Sequence, residues 1–497
     1  MQNSQADSPT NSARYDFAHP FFEGLFQPGS GKRSLDVADP WCGETIARLS
    51  TASTVDVERA FRAAENAQRS WAQALPGAKT AVFLNAARIM EARRNEIVSW
   101  LVRDAGSTRT KAEIEWWAVH NSMLEAATLP SRVEGRILYG DYQDKENRVY
   151  RKPVGVVSVI SPWNWPLHLS MRSVAPALAL GNAVVVKPAA DTPITGGLLI
   201  AKIFEEAGLP PAVLSVIVGY SSEIGDAFVA NERSRVVSFT GSTEVGRHVG
   251  ALALTSPRIK KTMLELGGNG PLVVTEDVDL DWAARTAIVG KFLHQGQMCI
   301  AVNRLIVADA IHEAFVARFL ELARALPLEG PNDARTAIGP VINRSQFDRI
   351  TSLVDGAVSD GARLLLGEPT RGLLMPPRVL DRVTMRMQIA RTEIFGPVAT
   401  IIRARNDDEA IAFANDTEYG LTSGVLCRDL RRAENLAQRI EGGMTHINDI
   451  PAIDMPQMPF GGEKNSGLGR FGSEDLIRTF TTQHWISVQH QAQPFPF

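Results

Sequence analysis

Short runs of β-branched residues alternate with helical periodicity from about residue 154 onward, and this alternation constrains the fold more than any other feature of the chain. Buried strands are predicted at residues 154–160, 183–186, 214–218 and 236–239. Between the second and third strands, helical spacing relates Ile200, Ile203, Phe204 and Ala207, and Gly208 then ends the helix. Strand, helix and strand together predict a parallel sheet covered by helices.

A second series of strands is predicted at residues 271–274, 304–307 and 398–402, and it indicates another α/β domain. Residues 55–126 have largely helical periodicity and are expected to pack on the first sheet. Two polar, strand-like segments, residues 140–151 and 479–489, fit neither domain. We expect them to pair with each other or with a partner chain.

Composition excludes several classes of protein. A length of 497 residues predicts about two to four domains. The chain is 44% hydrophobic and 22% charged, and 52 basic against 55 acidic residues give a net charge of −3, so no basic excess predicts binding to nucleic acid. No apolar run approaches the roughly 20 residues that cross a bilayer. Residues 1–13 are polar, lack the features of a signal peptide and are expected to form a frayed tail.

Three cysteines occur, an odd number without C-x-x-C spacing, which predicts a reducing, cytoplasmic location rather than disulfides or a zinc site. We interpret Cys42 and Cys427 as small buried apolar residues. Cys299, in Gly296-Gln297-Met298-Cys299, is the candidate nucleophile, and Glu265 is a candidate proton acceptor. Such a lone thiol with an upstream carboxylate also suits a protease, a thioesterase or a redox sensor. No histidine cluster indicates a metal.

Two polar features follow neighbouring strands and suggest a nucleotide crevice. The segment from Gly241 to Gly246, Gly-Ser-Thr-Glu-Val-Gly, leads from a strand into a helix, where backbone N–H groups can bind phosphate. It lacks the G-x-G-x-x-G pattern, and a tight turn without a ligand is equally compatible with it. Lys187 closes another strand, where a solvated lysine is the alternative. Together the two features favour a dinucleotide crevice.

Asn164 stands between two tryptophans and two prolines in Ser161-Pro162-Trp163-Asn164-Trp165-Pro166, directly after a predicted strand. A fixed, uncharged amide donor is suited to an oxyanion that develops on an attacked carbonyl. The alternative is a turn asparagine that bonds its own backbone.

Seven motifs together resemble the aldehyde dehydrogenase superfamily in their order and rough spacing, over residues 20–490. They are Pro162-Trp163-Asn164, Lys187-Pro188, Phe239-Thr240-Gly241-Ser242, Glu265-Leu266-Gly267-Gly268, Gly296-Gln297-Met298-Cys299, Glu393-Ile394-Phe395-Gly396-Pro397 and Pro459-Phe460-Gly461-Gly462.

The resemblance implies an α/β fold of two doubly wound parallel-sheet domains plus a small β oligomerisation element. The nucleotide-binding domain would comprise residues 15–137 and 153–264, the catalytic domain residues 265–465, and the oligomerisation element residues 138–152 and 478–497. A homodimer or homotetramer is expected.

The resemblance also implies a reaction. Cys299 would attack a small-molecule aldehyde, while the Asn164 amide and the Cys299 backbone N–H hold the oxyanion. The thiohemiacetal would pass hydride to the nicotinamide of NADP or NAD and leave a thioester. Glu265 would activate the water that releases a carboxylic acid. A CoA-acylating enzyme has less need of this base, and intact Cys299, Glu265 and Asn164 disfavour a non-catalytic binding protein.

By the same resemblance, several residues would contact the cofactor. Glu393 would bind the nicotinamide-side ribose, Phe395 would pack near the nicotinamide and Lys187 would reach the adenosine ribose. Trp163 and Ser242 would border the pyrophosphate and adenine-side cleft, next to the glycine turn.

Ala190 departs from the family pattern. Members that favour NAD usually carry a glutamate at this position, three residues after the lysine; here alanine is followed by Asp191. Because a carboxylate would repel a 2′-phosphate, its absence removes discrimination against NADP. The hypothesis is that NADP is accepted at least as well as NAD, unless Asp191 takes the vacant role.

The candidate substrate pocket is apolar, which suits a flat hydrophobic aldehyde better than a charged semialdehyde. Its predicted members are Trp165, Leu169, Met298, Ile300 and Phe460. The motif wording resembles the bacterial benzaldehyde and hydroxybenzaldehyde branch, with aliphatic aldehydes or semialdehydes as the alternative. Arg172 either faces the substrate, where it would meet a phenolic or carboxylate group, or forms a surface or interdomain ion pair, the interpretation we prefer.

Overall fold

The computed structural model of the protein describes residues 15–495, and the predicted N-terminal tail lies outside them. The α-helices are α1 (Thr54–Gln73), α2 (Pro76–Ala92), α3 (Arg94–Ala105), α4 (Arg109–Thr128), α5 (Pro166–Ala179), α6 (Leu199–Glu206), α7 (Ser221–Ala230), α8 (Thr243–Thr255), α9 (Leu280–Phe292), α10 (His312–Arg324), α11 (Arg344–Ser359), α12 (Gln388–Arg391), α13 (Asp407–Asn415), α14 (Leu430–Gln438) and α15 (Ser473–Phe480).

Strands alternate with these helices. They are β1 (Phe21–Phe22), β2 (Leu25–Phe26), β3 (Ser34–Ala38), β4 (Thr45–Ser50), β5 (Arg136–Leu138), β6 (Lys145–Pro153), β7 (Val156–Ile160), β8 (Ala183–Lys187), β9 (Leu214–Val216), β10 (Ser234–Thr240), β11 (Lys261–Glu265), β12 (Gly270–Val274), β13 (Val302–Ala308), β14 (Arg363–Gly367), β15 (Arg378–Asp381), β16 (Val398–Ala404), β17 (Tyr419–Gly420), β18 (Thr422–Leu426), β19 (Met444–Ile447), β20 (Glu463–Lys464), β21 (Gly467–Leu468) and β22 (Thr481–Gln489).

The first large sheet has the order β2-β1-β9-β8-β7-β10-β11-β21. Its five central strands, β9 to β11 in this order, are parallel. The chain runs outward from β7 through β8 to β9 and then returns to β10 on the other side of β7. The direction of winding therefore reverses between β7 and β10, which in doubly wound sheets is where a ligand crevice opens.

The second large sheet has the order β14-β15-β16-β13-β12-β18-β19 and is parallel except for β14. Nearly every residue of β12, β13, β16 and β18 is buried, as runs of Val, Ile and Leu covered by helices on both faces require. The predicted α/β class with two doubly wound sheets is confirmed.

A separate three-stranded antiparallel sheet, β22-β6-β5, joins the two polar segments that fitted neither series. β6 and β22 pair over their full lengths, from Thr481 opposite Pro153 to Gln489 opposite Lys145. Ile137 and Trp485 on this sheet, and Tyr139 directly after β5, are well exposed. The domain boundaries stay a prediction.

Local differences from the predicted elements have physical causes. The strand predicted from residue 154 begins at Val156, because the Val154 N–H donates to the carbonyl of Phe480 outside the sheet. A π-helical turn, Ile194–Leu198, precedes α6. Cys427 is buried as predicted, but Cys42 is exposed, which corrects the prediction for that residue. Cys42 lies in the turn between β3 and β4, where its N–H donates to the carbonyl of Asp39.

Within residues 15–495, no helix combines the length and the apolar content needed to cross a membrane. Over the same residues, no three His, Cys, Asp or Glu side chains group together as metal ligands would.

Candidate active site

One cleft, with a volume of about 400 Å³, is lined by residues next to strands of both large sheets. The carboxyl ends of β7 and β10 supply the turns that hold Asn164 and Ser242, on either side of the winding reversal. The amino ends of β13 and β16 supply Cys299 and Glu393 from the second sheet. The cleft therefore joins the thiol to the predicted nucleotide crevice.

The structure brings many of the predicted site residues to this cleft. Its lining includes Trp163, Asn164, Leu169, Gly241, Ser242, Cys299, Glu393 and Phe395. The remaining predicted residues are not among the lining residues: Glu265, Lys187, Ala190, Gly246, Trp165, Arg172, Met298, Ile300 and Phe460. Of these, Glu265 contacts Cys299, and Arg172 lines a separate small pocket with His168 and Asp454.

The Cys299 loop is held by backbone geometry that few residues adopt. His294 and Gln295, with φ of 49° and 45°, and Gly296, with φ of 71°, form three successive left-handed positions. A Cβ on Gly296 would lie 2.3 Å from the carbonyl oxygen of Gly396, so only glycine fits. The buried Gln297 fixes the loop further, because its side-chain oxygen accepts the Ile342 N–H at 3.0 Å. Such strain is typical of a functional site.

The thiol of Cys299 donates to Oε1 of Glu265 across 3.9 Å. Burial raises the pKa of Glu265 to about 8, and Arg172 opposes this shift. Burial, together with the charges of Glu265 and Glu393, also raises the pKa of Cys299 well above its usual range. Both groups therefore hold their protons near neutral pH in the free enzyme.

Gly268 allows this close approach of the two segments. A Cβ at that position would lie 2.1 Å from the carbonyl oxygen of Cys299. The last position of the Glu265-Leu266-Gly267-Gly268 motif must therefore be glycine, because the loop that carries Cys299 packs directly against it.

Asn164 is buried, and both its backbone and its side chain are fixed. Its Nδ2 donates to the carbonyl of Gln297 at 2.9 Å, and its own carbonyl accepts from Nζ of Lys111 at 2.9 Å. The amide is thus bonded to the nucleophile loop, not to its own turn as the alternative interpretation had it. An amide has two N–H donors, so one stays available to an oxyanion.

Glu393 and Phe395 lie on a turn held from α11. Arg349 donates to the carbonyls of Glu393 and Ile394 at 3.1 and 2.6 Å. Oε1 of Glu393 accepts the Gly268 N–H at 2.8 Å, and burial raises the pKa of this carboxyl to about 7. Phe395 meets Trp163 edge-on, with ring centroids 5.3 Å apart.

The crevice residues suit a dinucleotide. The first turn of α8 opens beside the cleft, and Ser242 caps it by accepting the Val245 N–H. Helix N-termini attract phosphate groups, and a carboxylate such as Glu393 can accept from ribose hydroxyls.

Lys187 is buried, with 3% of its surface exposed, so the solvated alternative is not realised. Its Nζ donates to Oγ of Ser221 at 2.9 Å, and burial lowers its pKa to about 8. Ala190 is half-buried, and the neighbouring Asp191 accepts from Asn343 at 3.0 Å.

Arg172 is buried and forms an ion pair with Asp454, from its Nη1 to Oδ2 at 3.3 Å. Its guanidinium lies over the rings of Phe460 and Phe471, at 4.5 and 3.9 Å. His168 bonds the same Asp454 oxygen at 2.8 Å. Arg172 therefore forms an ion pair as we preferred, but the prediction that the pair lies on the surface is wrong. The pair connects α5 with the loop that follows β19 of the second sheet.

Several residues of the site were not predicted from the sequence. Tyr419, Gln346 and Arg349 line the cleft from the second half of the chain. Lys111 and Glu115, behind Asn164, have the i,i+4 spacing that is usual for ion pairs on the surface of a helix. The spacing therefore gave no indication that both side chains are fully buried.

A thiol, a carboxylate and an amide donor beside a dinucleotide crevice are the groups of a cysteine-dependent dehydrogenase. The chain belongs to the aldehyde dehydrogenase family, whose profile matches residues 26–486. This membership confirms the predicted class, an NAD(P)-dependent aldehyde dehydrogenase.

Relatives cover nearly the whole chain. A vanillin dehydrogenase from Corynebacterium glutamicum is 46% identical over 94% of this chain and 96% of its own. The crystal structure of an NAD-dependent benzaldehyde dehydrogenase from Corynebacterium glutamicum is 43% identical, with a TM-score of 0.89 over 98% of this chain and 99% of that one. A salicylaldehyde dehydrogenase from Pseudomonas putida G7, complexed with salicylaldehyde, is 34% identical, with a TM-score of 0.93 over 97% of this chain and 100% of that one.

Proposed function

We propose that the protein oxidises aromatic aldehydes of the benzaldehyde or hydroxybenzaldehyde type to carboxylic acids, with NADP or NAD as the oxidant. The observation that carries the proposal is the contact between the Cys299 thiol and Glu265 beside Asn164. The similarity to vanillin, benzaldehyde and salicylaldehyde dehydrogenases supports the aromatic class.

The apolar surroundings of the thiol support the same substrate class. Leu169 lines the cleft, Met298 and Phe460 are buried, and Trp165 and Ile300 are half-buried. A planar aromatic ring gains more from such walls than a charged semialdehyde does.

The first chemical step forms a bond from Sγ of Cys299 to the aldehyde carbon. The thiol proton passes to Glu265 across 3.9 Å, which requires the ionised form of this carboxyl, present in increasing proportion as the pH approaches about 8. As the carbonyl oxygen gains charge, the free N–H of Asn164 and the backbone N–H of Cys299 stabilise it. One such donor in a buried site contributes about 3–4 kcal/mol to the transition state.

Glu393, Phe395, Trp163 and the first turn of α8 would hold the dinucleotide. When bound, its nicotinamide supplies the acceptor for the hydride that leaves the thiohemiacetal carbon. Phe395 and Trp163, packed edge-on, line the same cleft as Cys299.

Glu265 then completes the reaction. Its carboxylate takes a proton from a water molecule that attacks the thioester, and the acid leaves as the Cys299 thiolate departs. The proton accepted earlier must first pass to solvent, so the ionised form of Glu265 is required in this step. This need for a base favours hydrolysis over transfer to a thiol.

We also propose that NADP is accepted at least as well as NAD. Ala190 offers no carboxylate against a 2′-phosphate, and Asp191 is engaged by Asn343. The exposed apolar residues of β5 and β22 support a homodimer or homotetramer built through that sheet, and three free cysteines support a cytoplasmic location.

A substrate panel tests the proposal. Benzaldehyde, hydroxylated and methoxylated benzaldehydes, propanal and succinic semialdehyde are each supplied with NAD and with NADP, without CoA. We expect reduced cofactor and free acid, with the highest kcat/KM for an aromatic aldehyde. Cys299→Ala should abolish turnover, whereas Cys42→Ala, at the exposed cysteine, should leave it unchanged. A preference for propanal or semialdehyde would overturn the aromatic assignment, and a requirement for CoA would overturn hydrolysis.

A further inference from the structure

A buried ion pair lies directly behind the catalytic turn that carries Asn164. Lys111 and Glu115, one turn apart in α4, are both fully buried, and their side chains are bonded to each other. Pairs with this i,i+4 spacing ordinarily lie on the exposed face of a helix. Removing two charges from water is costly and is offset only when their remaining hydrogen-bonding groups also find partners.

Beyond their bond to each other, Lys111 and Glu115 each bond one end of the segment that leads from Asn164 into α5. The ammonium of Lys111 has three donors, and they go to Glu115, to Oγ of Ser107 at 3.0 Å and to the carbonyl of Asn164 at 2.9 Å. The second oxygen of Glu115 accepts the backbone N–H of His168 at 3.1 Å. Asn164 and His168 bracket the junction where the turn becomes α5.

Helix α5 lacks a cap of its own, which explains the position of Glu115. Its N-cap residue is Trp165, whose side chain makes no capping hydrogen bond. Orphan N–H groups at a helix start need an acceptor, and a carboxylate there is also favoured by the helix dipole. Glu115 supplies this acceptor from a neighbouring helix, while Lys111 lies 4.7 Å from the centre of the Trp165 ring.

We propose that Lys111 and Glu115 are positioning residues for the oxyanion donor, because together they fix the carbonyl of Asn164 and the start of α5. The inference rests on the oxyanion role proposed for Asn164. The pair does not touch the substrate and acts through the place of the Asn164 amide. A displacement of about 1 Å in such a group can slow a reaction about a hundredfold.

The test uses a double variant that combines Lys111→Met with Glu115→Gln, and it also uses each of the two single variants. Asn164→Ala is measured alone and in combination with the two changes. The double variant removes both charges and leaves no lone buried ion, so it is the variant most able to fold. Lys260→Met is the matched control: Lys260 is 2% exposed, and its Nζ bonds Oγ of Ser256 and nearby carbonyls at the end of β11 remote from Glu265. Activity is measured with benzaldehyde and with propanal, and NAD affinity by quenching of tryptophan fluorescence.

We expect the double variant to lose about tenfold to a hundredfold in kcat/KM with both aldehydes, with the NAD affinity unchanged. When the same two changes are added to Asn164→Ala, kcat/KM should fall by less than about a further threefold, because there is no amide left to position. Lys260→Met should lower the Tm without either effect. A folded double variant with wild-type kcat/KM, or losses that simply multiply with that of Asn164→Ala, would overturn the inference alone. Full activity in Asn164→Ala would overturn the proposed oxyanion role and the inference with it.

Discussion

Sγ of Cys299 lies 3.9 Å from Oε1 of Glu265, and the two side chains come from opposite sheets. The carboxylate ends β11 of the first sheet, and the thiol precedes β13 of the second. Catalysis by this pair therefore depends on the relative position of the two sheets, which brings the nucleophile and the base into contact.

Turnover should rise with pH up to about 8. Glu265 accepts a water proton only when it is ionised, and burial raises its pKa to about 8, so kcat should fall as the pH drops below that value. The fall should approach tenfold per pH unit. A profile of kcat from pH 6 to pH 9.5 measures it; a flat profile between pH 6 and pH 8.5 would contradict the role of Glu265 as the base.

Glu265→Gln should stabilise the free enzyme, increasingly so at higher pH. Between its ordinary value of 4.5 and about 8, the folded state holds a proton on Glu265 that the unfolded state has lost. The free energy of unfolding therefore falls as the pH rises through this window, and glutamine removes that loss. The difference in Tm between variant and wild type should grow from pH 5 to pH 8. Glu368→Gln, at an exposed position, is the control and should show no such trend.

Ala190→Glu should create discrimination against NADP. A carboxylate at this position would accept from ribose hydroxyls and repel a 2′-phosphate, so kcat/KM should fall at least about tenfold for NADP and little for NAD. Ala190→Gln has the same shape without the charge and should discriminate less. If the wild type already favours NAD by more than about tenfold, the hypothesis drawn from Ala190 is wrong.

Arg172→Leu should lower the Tm, because it leaves the half-buried Asp454 with only His168 as its partner. The guanidinium is engaged by Asp454 and by two aromatic rings, so the ratio of kcat/KM for 4-hydroxybenzaldehyde to that for benzaldehyde should stay constant. Parallel steady-state assays measure this ratio. Selective loss of the hydroxylated substrate would instead show that Arg172 contacts the ring substituent.

The sequence predicted the sheets well because their signal is local. β-branched runs bounded by turns mark β7, β8 and β10, and motifs at strand ends mark Asn164 and Ser242. The contacts that complete the site are not local. Asn164 bonds Gln297, 133 residues away, and no spacing rule predicts such a partner.

Other parts of the site contradict what their residues ordinarily indicate. His294 and Gln295 adopt left-handed backbone, which is uncommon for either residue and is imposed by the packing of the loop. Lys111 and Glu115 have the spacing of a surface pair and yet are fully buried. Cys42 was expected to be buried, but a hairpin turn exposes it. In each of these places tertiary packing decides what local sequence leaves open.

Mass spectrometry of the Glu265→Gln variant can show whether Cys299 carries the acyl group and Glu265 releases it. After mixing with benzaldehyde and NAD, we expect one equivalent of reduced cofactor per active site, formed more slowly than in the wild type because the thiol has lost its proton acceptor. A benzoyl group should then stay on Cys299, because the base that releases it is gone. Peptide mapping locates the adduct. A benzoyl group on Cys42 or Cys427, or continued turnover at the wild-type rate without any adduct, would contradict the proposed mechanism.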